Sequence, residues 1–140
     1  MRVSWLAALV WLGACATTAP APATRESAIT AIMGNWHQLD ADCQPPINEL
    51  LFKRDGTFHV TWTPFETYED YWGTYRWNAA TGAIELTIDN GNHVPTDVVR
   101  SGRATITGDV LTFEGVSLGS PQNGAACAAP FHRRGPAPAQ

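Results

Sequence analysis

Asn48–Thr63, NELLFKRDGTFHVTWT, holds two apolar runs around a polar turn. Leu50, Leu51 and Phe52 mark a strand over Asn48–Arg54. Asp55-Gly56 is a hairpin signal, because a tight turn needs positive φ and glycine supplies it without a Cβ clash. Thr57–Thr63 then alternates, with Phe58, Val60 and Trp62 on one face and Thr57, His59 and Thr61 on the other. Period two is the mark of a strand with one buried side. The stretch therefore predicts an antiparallel hairpin.

The same pattern continues on both sides. Tyr71–Asn78 reads as a strand, Ala79–Gly82 as a turn, and Ala83–Asp89 as a strand with Ile84, Leu86 and Ile88 inward. Asn90-Gly91-Asn92 turns the chain again. Val94–Arg100 is a further candidate, with Pro95 suited to an edge or strand start. Arg103–Thr107, the Gly108-Asp109 turn and Val110–Gly115 form another hairpin, Ala129–Arg133 a last strand, and Trp36–Asp40 a first one. Ahead of them, Ala28, Ile29, Ile32 and Met33 share one face of a short helix over Arg25–Met33, with Gly34 as its stop. About eight short strands at this spacing predict an all-β antiparallel sandwich or barrel. Eight are enough to close a barrel around side chains or one small ligand.

The amino-terminal segment has a different character. Arg2 is followed by a short apolar run, Trp5–Leu12, and then by Gly13, Ala14 and Cys15. A run this short does not span a bilayer, which takes about 20 residues; charge, apolar stretch and small-residue exit make a secretory signal. Leu12-Gly13-Ala14-Cys15 resembles the lipobox of bacterial lipoproteins. The resemblance implies removal of residues 1–14, a lipid anchor on Cys15 and a place in the cell envelope, on an outer membrane facing the periplasm. The alternative is an ordinary signal cleaved nearby, with Cys15 lost or free. Residues 15–24 are small, uncharged and proline-rich, the composition of a tether; 135–140 read as a disordered tail; 25–134 form one domain.

With Cys15 set apart, Cys43 and Cys127 remain, an even pair in an exported chain. A disulfide is expected, against the alternative of two buried free thiols. The formal charge is −4 from 9 Lys+Arg and 13 Asp+Glu. Losing Arg2 leaves 8 against 13, near −5. That balance excludes nucleic acid, whose binding needs a basic footprint, and leaves membrane attachment to the lipid anchor.

Gly34-Asn35-Trp36, after a short helix and at the start of the first strand, resembles the G-x-W motif of the lipocalins. The order GNWHQ, LLFKRDGTFHV, YWGTYRW, IELTI is similar to the compact lipocalin-like domains of bacterial envelope proteins. The resemblance implies an up-and-down β-barrel whose closed end is plugged by Trp36, with Arg133 or Arg134 packed across the indole. Thr96-Asp97-Val98 resembles the family's T-D-Y motif, with valine in place of tyrosine.

Catalytic signatures are absent: no G-x-S-x-G, H-E-x-x-H or C-x-x-C occurs. No enzyme activity, cofactor or metal is implied. His37, Asp40 and Asp42 are potential metal ligands that read more simply as solvated polar residues. Glu66, Glu69 and Asp70 read as a solvated loop. The informative cluster is Thr61–Trp77, TWTPFETYEDYWGTYRW. Trp62, Phe65, Tyr68 and Trp77 are candidates to line a barrel mouth and grip an apolar ligand. For Trp62 and Trp77 core packing is the competing account. Three functions stay open: a binder of a small hydrophobic molecule, a module that binds or inhibits an envelope protein, and a structural lipoprotein. A filled barrel would separate the first from the other two, and an exposed apolar patch at Phe65 and Tyr68 would favour the second.

Overall fold

The structure, a computed structural model, describes residues 30–135. Cys15, the tether, the tail beyond Gly135 and the first part of the expected helix lie outside that range. Thr30–Ile32 is helical. Eight strands follow: β1 (Gly34–His37), β2 (Glu49–Phe52), β3 (Thr57–Thr61), β4 (Tyr71–Trp77), β5 (Ala83–Gly91), β6 (Ser101–Thr107), β7 (Val110–Glu114) and β8 (Phe131–Arg133). Each pairs antiparallel with the next, and β8 returns to β1 through Trp36↔Arg133 and His37↔His132. The result is a closed up-and-down barrel, the all-β class expected, and it fits a lipocalin-like architecture.

The β2–β3 hairpin forms where its turn chemistry demands. Gly56 takes φ +84. The Asp55 carboxylate accepts the Thr57 amide at 3.0 Å and its hydroxyl at 2.6 Å, an Asx-type turn. Those bonds hold the Asp55 carboxyl below its ordinary pKa. Between β4 and β5 the register shifts at Trp72/Gly73. A Cβ on Gly73 would come 1.8 Å from the Thr87 carbonyl oxygen, so only glycine allows the two strands to approach this closely.

Val94–Arg100 is not a strand. Pro95 removes a ladder donor, and it is buried. Val99 makes a single bridge to Ser117, and the Arg100 carbonyl accepts the Leu86 amide at 2.8 Å.

Inward side chains fill the barrel. Trp36, Leu50, Phe58, Val60, Tyr71 and Leu111 are fully buried, and Phe52 is 1% exposed. Five rings form a continuous ladder down the interior. Trp62 meets Tyr71 at 6.2 Å, Tyr71 meets Phe58 at 6.1 Å, Phe58 meets Phe52 at 6.3 Å, and Phe52 meets Tyr75 at 4.7 Å. Two of these contacts, Phe58–Tyr71 and Phe52–Tyr75, are edge-on, a geometry that adds about 0.5–1.5 kcal/mol each beyond area burial. The two tyrosines bury their hydroxyls satisfied: Tyr71 donates to Leu118 O at 2.8 Å and Tyr75 to Lys53 O at 2.9 Å.

These phenols give the fold an alkaline limit. Burial, with Asp70 adding to it, pushes Tyr71 well above its ordinary pKa of 10.0. Burial, with Asp55 adding to it, pushes Tyr75 up to about 12. An unfolded chain releases both protons near pH 10, whereas the folded chain keeps them. The unfolded state then binds fewer protons, so stability falls as pH rises above 10. Urea unfolding at pH 9 and pH 11 should show that loss, and Tyr71→Phe should reduce its slope. Equal slopes in the two proteins would refute the assignment.

Candidate functional site at the loop end of the barrel

The connections divide by length. The turns 53–56, 78–82 and 108–109 close one end of the barrel, where the helix enters and β8 leaves. Loops 38–48, 62–70, 92–100 and 115–130 gather at the other.

At the short-turn end, Trp36 donates from Nε1 to Ile32 O at 2.8 Å. The Arg133 guanidinium carbon lies 4.1 Å from its ring centroid. Arg133 also donates to Met33 O at 2.7 Å and Ala31 O at 2.8 Å, and its Nε lies 3.3 Å from Asp109. One side chain thus covers the plug and satisfies carbonyls where the helix ends, which otherwise lack partners. Arg134 does not share this position; it is exposed and donates to Asn48 O at 3.2 Å.

At the loop end, four loops fold over the mouth. Cys43 and Cys127 are joined by a disulfide, which ties loop 38–48 to loop 115–130. Beside it, the buried Gln38 makes the same link with hydrogen bonds. Its Nε2 donates to Cys127 O and Ala129 O, both at 3.1 Å, and its Oε1 accepts from the Ile47 amide at 2.9 Å. Asp70 is also buried; its carboxylate accepts from the Trp62 amide at 2.8 Å and from the Tyr68 hydroxyl at 3.1 Å. Asp97 accepts from the Ser120 amide at 2.9 Å and from its hydroxyl, which lowers its pKa and joins loop 92–100 to loop 115–130. Sequence reasoning missed Gln38 and read Asp70 as part of a solvated loop, whereas Asp70 is buried and hydrogen-bonded. Their partners lie in other loops or around a turn, and polar residues in loops carry no signal of that.

The four aromatic residues expected at a ligand site do not come together. Trp62 is 5% exposed and heads the ring ladder, against His93 at 6.2 Å. Trp77 is at the far end of β4, where it donates to Ala104 O at 3.1 Å. Six residue steps of strand separate Tyr71 from Trp77, about 20 Å. Tyr68 is half-buried. Phe65 stands out, 70% exposed. It precedes Glu66, the sole non-glycine residue with positive φ among the described residues (φ 51), and its carbonyl accepts the Tyr68 amide at 2.9 Å. A left-handed non-glycine residue costs about 1–2 kcal/mol and persists where its surroundings fix it.

Phe65 has company. Leu39, Phe65, Val94 and Val99 are the exposed large hydrophobic residues among those described, and all belong to loops of this end. An apolar crevice of about 100 Å³ opens between β7 and the segment leading to β8, lined by Phe113, Val116, Leu118, Cys127, Ala129 and Phe131. Phe113 and Phe131 meet edge-on at 5.6 Å behind it. A larger depression, about 480 Å³, lies on the outer wall among Asp55, Thr74, Arg76, Glu85 and Thr87. It faces away from the core.

His37 and Asp40 are not joined to Asp42 in any metal-holding group; His37 instead faces His132 at 6.4 Å, and burial and the Arg134 charge lower its pKa. Glu69 pairs with His59 at 2.6 Å on the outer wall. No helix among the described residues is long and apolar enough to cross a membrane. No family profile, curated protein or solved structure matches this chain.

Proposed function

We propose that this chain is a lipid-anchored envelope protein whose barrel is a filled scaffold, and that its loop end binds another protein of the envelope. One contrast carries the reading. The ring ladder occupies the barrel interior, where a small hydrophobic ligand would have to sit, while Phe65 projects from the loop end. Exposed apolar residues gathered on one face mark an interaction site. The direction of the chain adds support. The helix enters and β8 leaves at the short-turn end, so a tether from Cys15 would join there. The loop end would then point away from the membrane.

A photo-reactive benzoylphenylalanine at position 65, in cells making the full chain, should yield a discrete protein adduct. The same group at Ala79, exposed on a turn of the opposite end, should yield none. No adduct from position 65, or the same adduct from both, would defeat the proposal. Phe65→Ala should change stability by less than about 0.5 kcal/mol, as exposed substitutions do. The anchor is tested separately: wild type should incorporate labelled palmitate and Cys15→Ser should not. Equal labelling would remove the anchor.

A further inference from the structure

We infer that the crevice backed by Phe113 and Phe131 receives a single aliphatic side chain from a cationic protein segment; this rests on the loop-end reading above and names the chemistry of its partner. Three observations fix the occupant.

The first is size. About 100 Å³ is roughly the room of three waters. It suits one leucine-sized side chain and is too small for a lipid tail. Small pockets that desolvate one anchoring side chain are where binding energy concentrates.

The second is charge. The four loops of this end carry six carboxylates (Asp40, Asp42, Glu66, Glu69, Asp70 and Asp97) and one guanidinium, Arg100. Loop 115–130 itself is uncharged. Asp40 and Asp42 are exposed in the loop that the disulfide holds against the crevice wall, and the Asp42 carbonyl lies 3.5 Å from the Cys127 sulfur. Glu114 follows Phe113 on β7, with its side chain 73% exposed. Its contact with Arg103, at 3.9 Å between exposed groups, neutralises it little. Lysines or arginines flanking the anchor would find these carboxylates on either side.

The third sets the Phe65 ring of a second copy aside as the occupant. Its own exposed ring, Phe65, is followed by Glu66 and Glu69. Placing it here would set acid against acid, which disfavours a wrong partner.

Three blocked peptides titrated into the isotope-labelled full chain test this: KKKLKKK, KKKSKKK and EEELEEE. KKKLKKK should move the amide resonances of Val116, Leu118, Cys127 and Ala129 to saturation. KKKSKKK should bind at least about tenfold more weakly, since a buried aliphatic side chain is worth about 1.5 kcal/mol or more. EEELEEE should not bind. Ala126→Trp, an exposed position on the crevice rim, should block KKKLKKK, and Asp40→Lys with Asp42→Lys should weaken it at least about fivefold. Equal binding of KKKLKKK and KKKSKKK, or shifts confined to residues outside the crevice, would overturn the inference. If position 65 still cross-links to a protein under that outcome, the loop-end reading stands and this assignment alone is lost. If position 65 yields no adduct but KKKLKKK saturates the crevice, the peptide site stands and the Phe65 surface is lost.

Discussion

Trp36→Ala should lower the unfolding free energy by about 3–5 kcal/mol, the range for large aromatic truncations in a core. Whole domains of this size are stable by about 5–15 kcal/mol, so the variant should be close to unfolding. The ring is fully buried and holds Ile32 O through its indole nitrogen. Its removal also strips one face of the Arg133 guanidinium, whose side chain is only 6% exposed. A buried cation that loses part of its surroundings is costly. Arg133→Met keeps the length but leaves Ala31 O and Met33 O without the donor. The double variant should then show a coupling of about 0.5–2 kcal/mol between the two positions. Urea unfolding of the four proteins measures it. A Trp36→Ala cost below about 1.5 kcal/mol, or additive losses, would show that the pair does not hold the closed end.

Reduction of Cys43–Cys127 should lower the melting temperature by well over 10 °C. The half-cystines are 84 residues apart in sequence. Loop-closure entropy assigns such a cross-link roughly 4–5 kcal/mol as an upper bound, and each kcal/mol moves a domain near 100 residues by about 4–8 °C. The effect acts on the unfolded chain. In the folded one Gln38 joins the same two loops, so the reduced protein should keep the native barrel at low temperature. Gln38→Ala in the reduced protein should cost a further 1–3 kcal/mol or so, because it leaves the Ile47 amide buried and unpaired. Calorimetry with and without reductant decides it. A shift below about 5 °C, or two titratable thiols in the unfolded, unreduced protein, would contradict the account.

Local chemistry made much of the barrel legible. Asp55-Gly56 and Gly108-Asp109 fixed the β2–β3 and β6–β7 turns, and alternation assigned Phe58, Val60, Ile84 and Leu86 to the inside. The strand ends were less visible. β8 is three residues, not the five of Ala129–Arg133: Pro130 has no N–H for the ladder, and Gln38 takes the Ala129 carbonyl. The aromatic cluster misled for a geometric reason. Trp62, Phe65, Tyr68 and Trp77 lie within sixteen residues, yet β4 carries Trp77 to the opposite end of the barrel from Phe65. Nearness in sequence is not nearness in an extended chain. The crevice had no sequence signal, because Phe113 and Phe131 come from separate strands and meet only when the barrel closes.

A barrel filled by its own rings should take up no fatty acid. Titration of the full chain with a fluorescent fatty-acid analogue tests it most directly. No saturable binding and no quenching of tryptophan emission are expected. Saturable uptake of one analogue per chain, quenching Trp62 and weakened tenfold by Phe65→Ala, would contradict it.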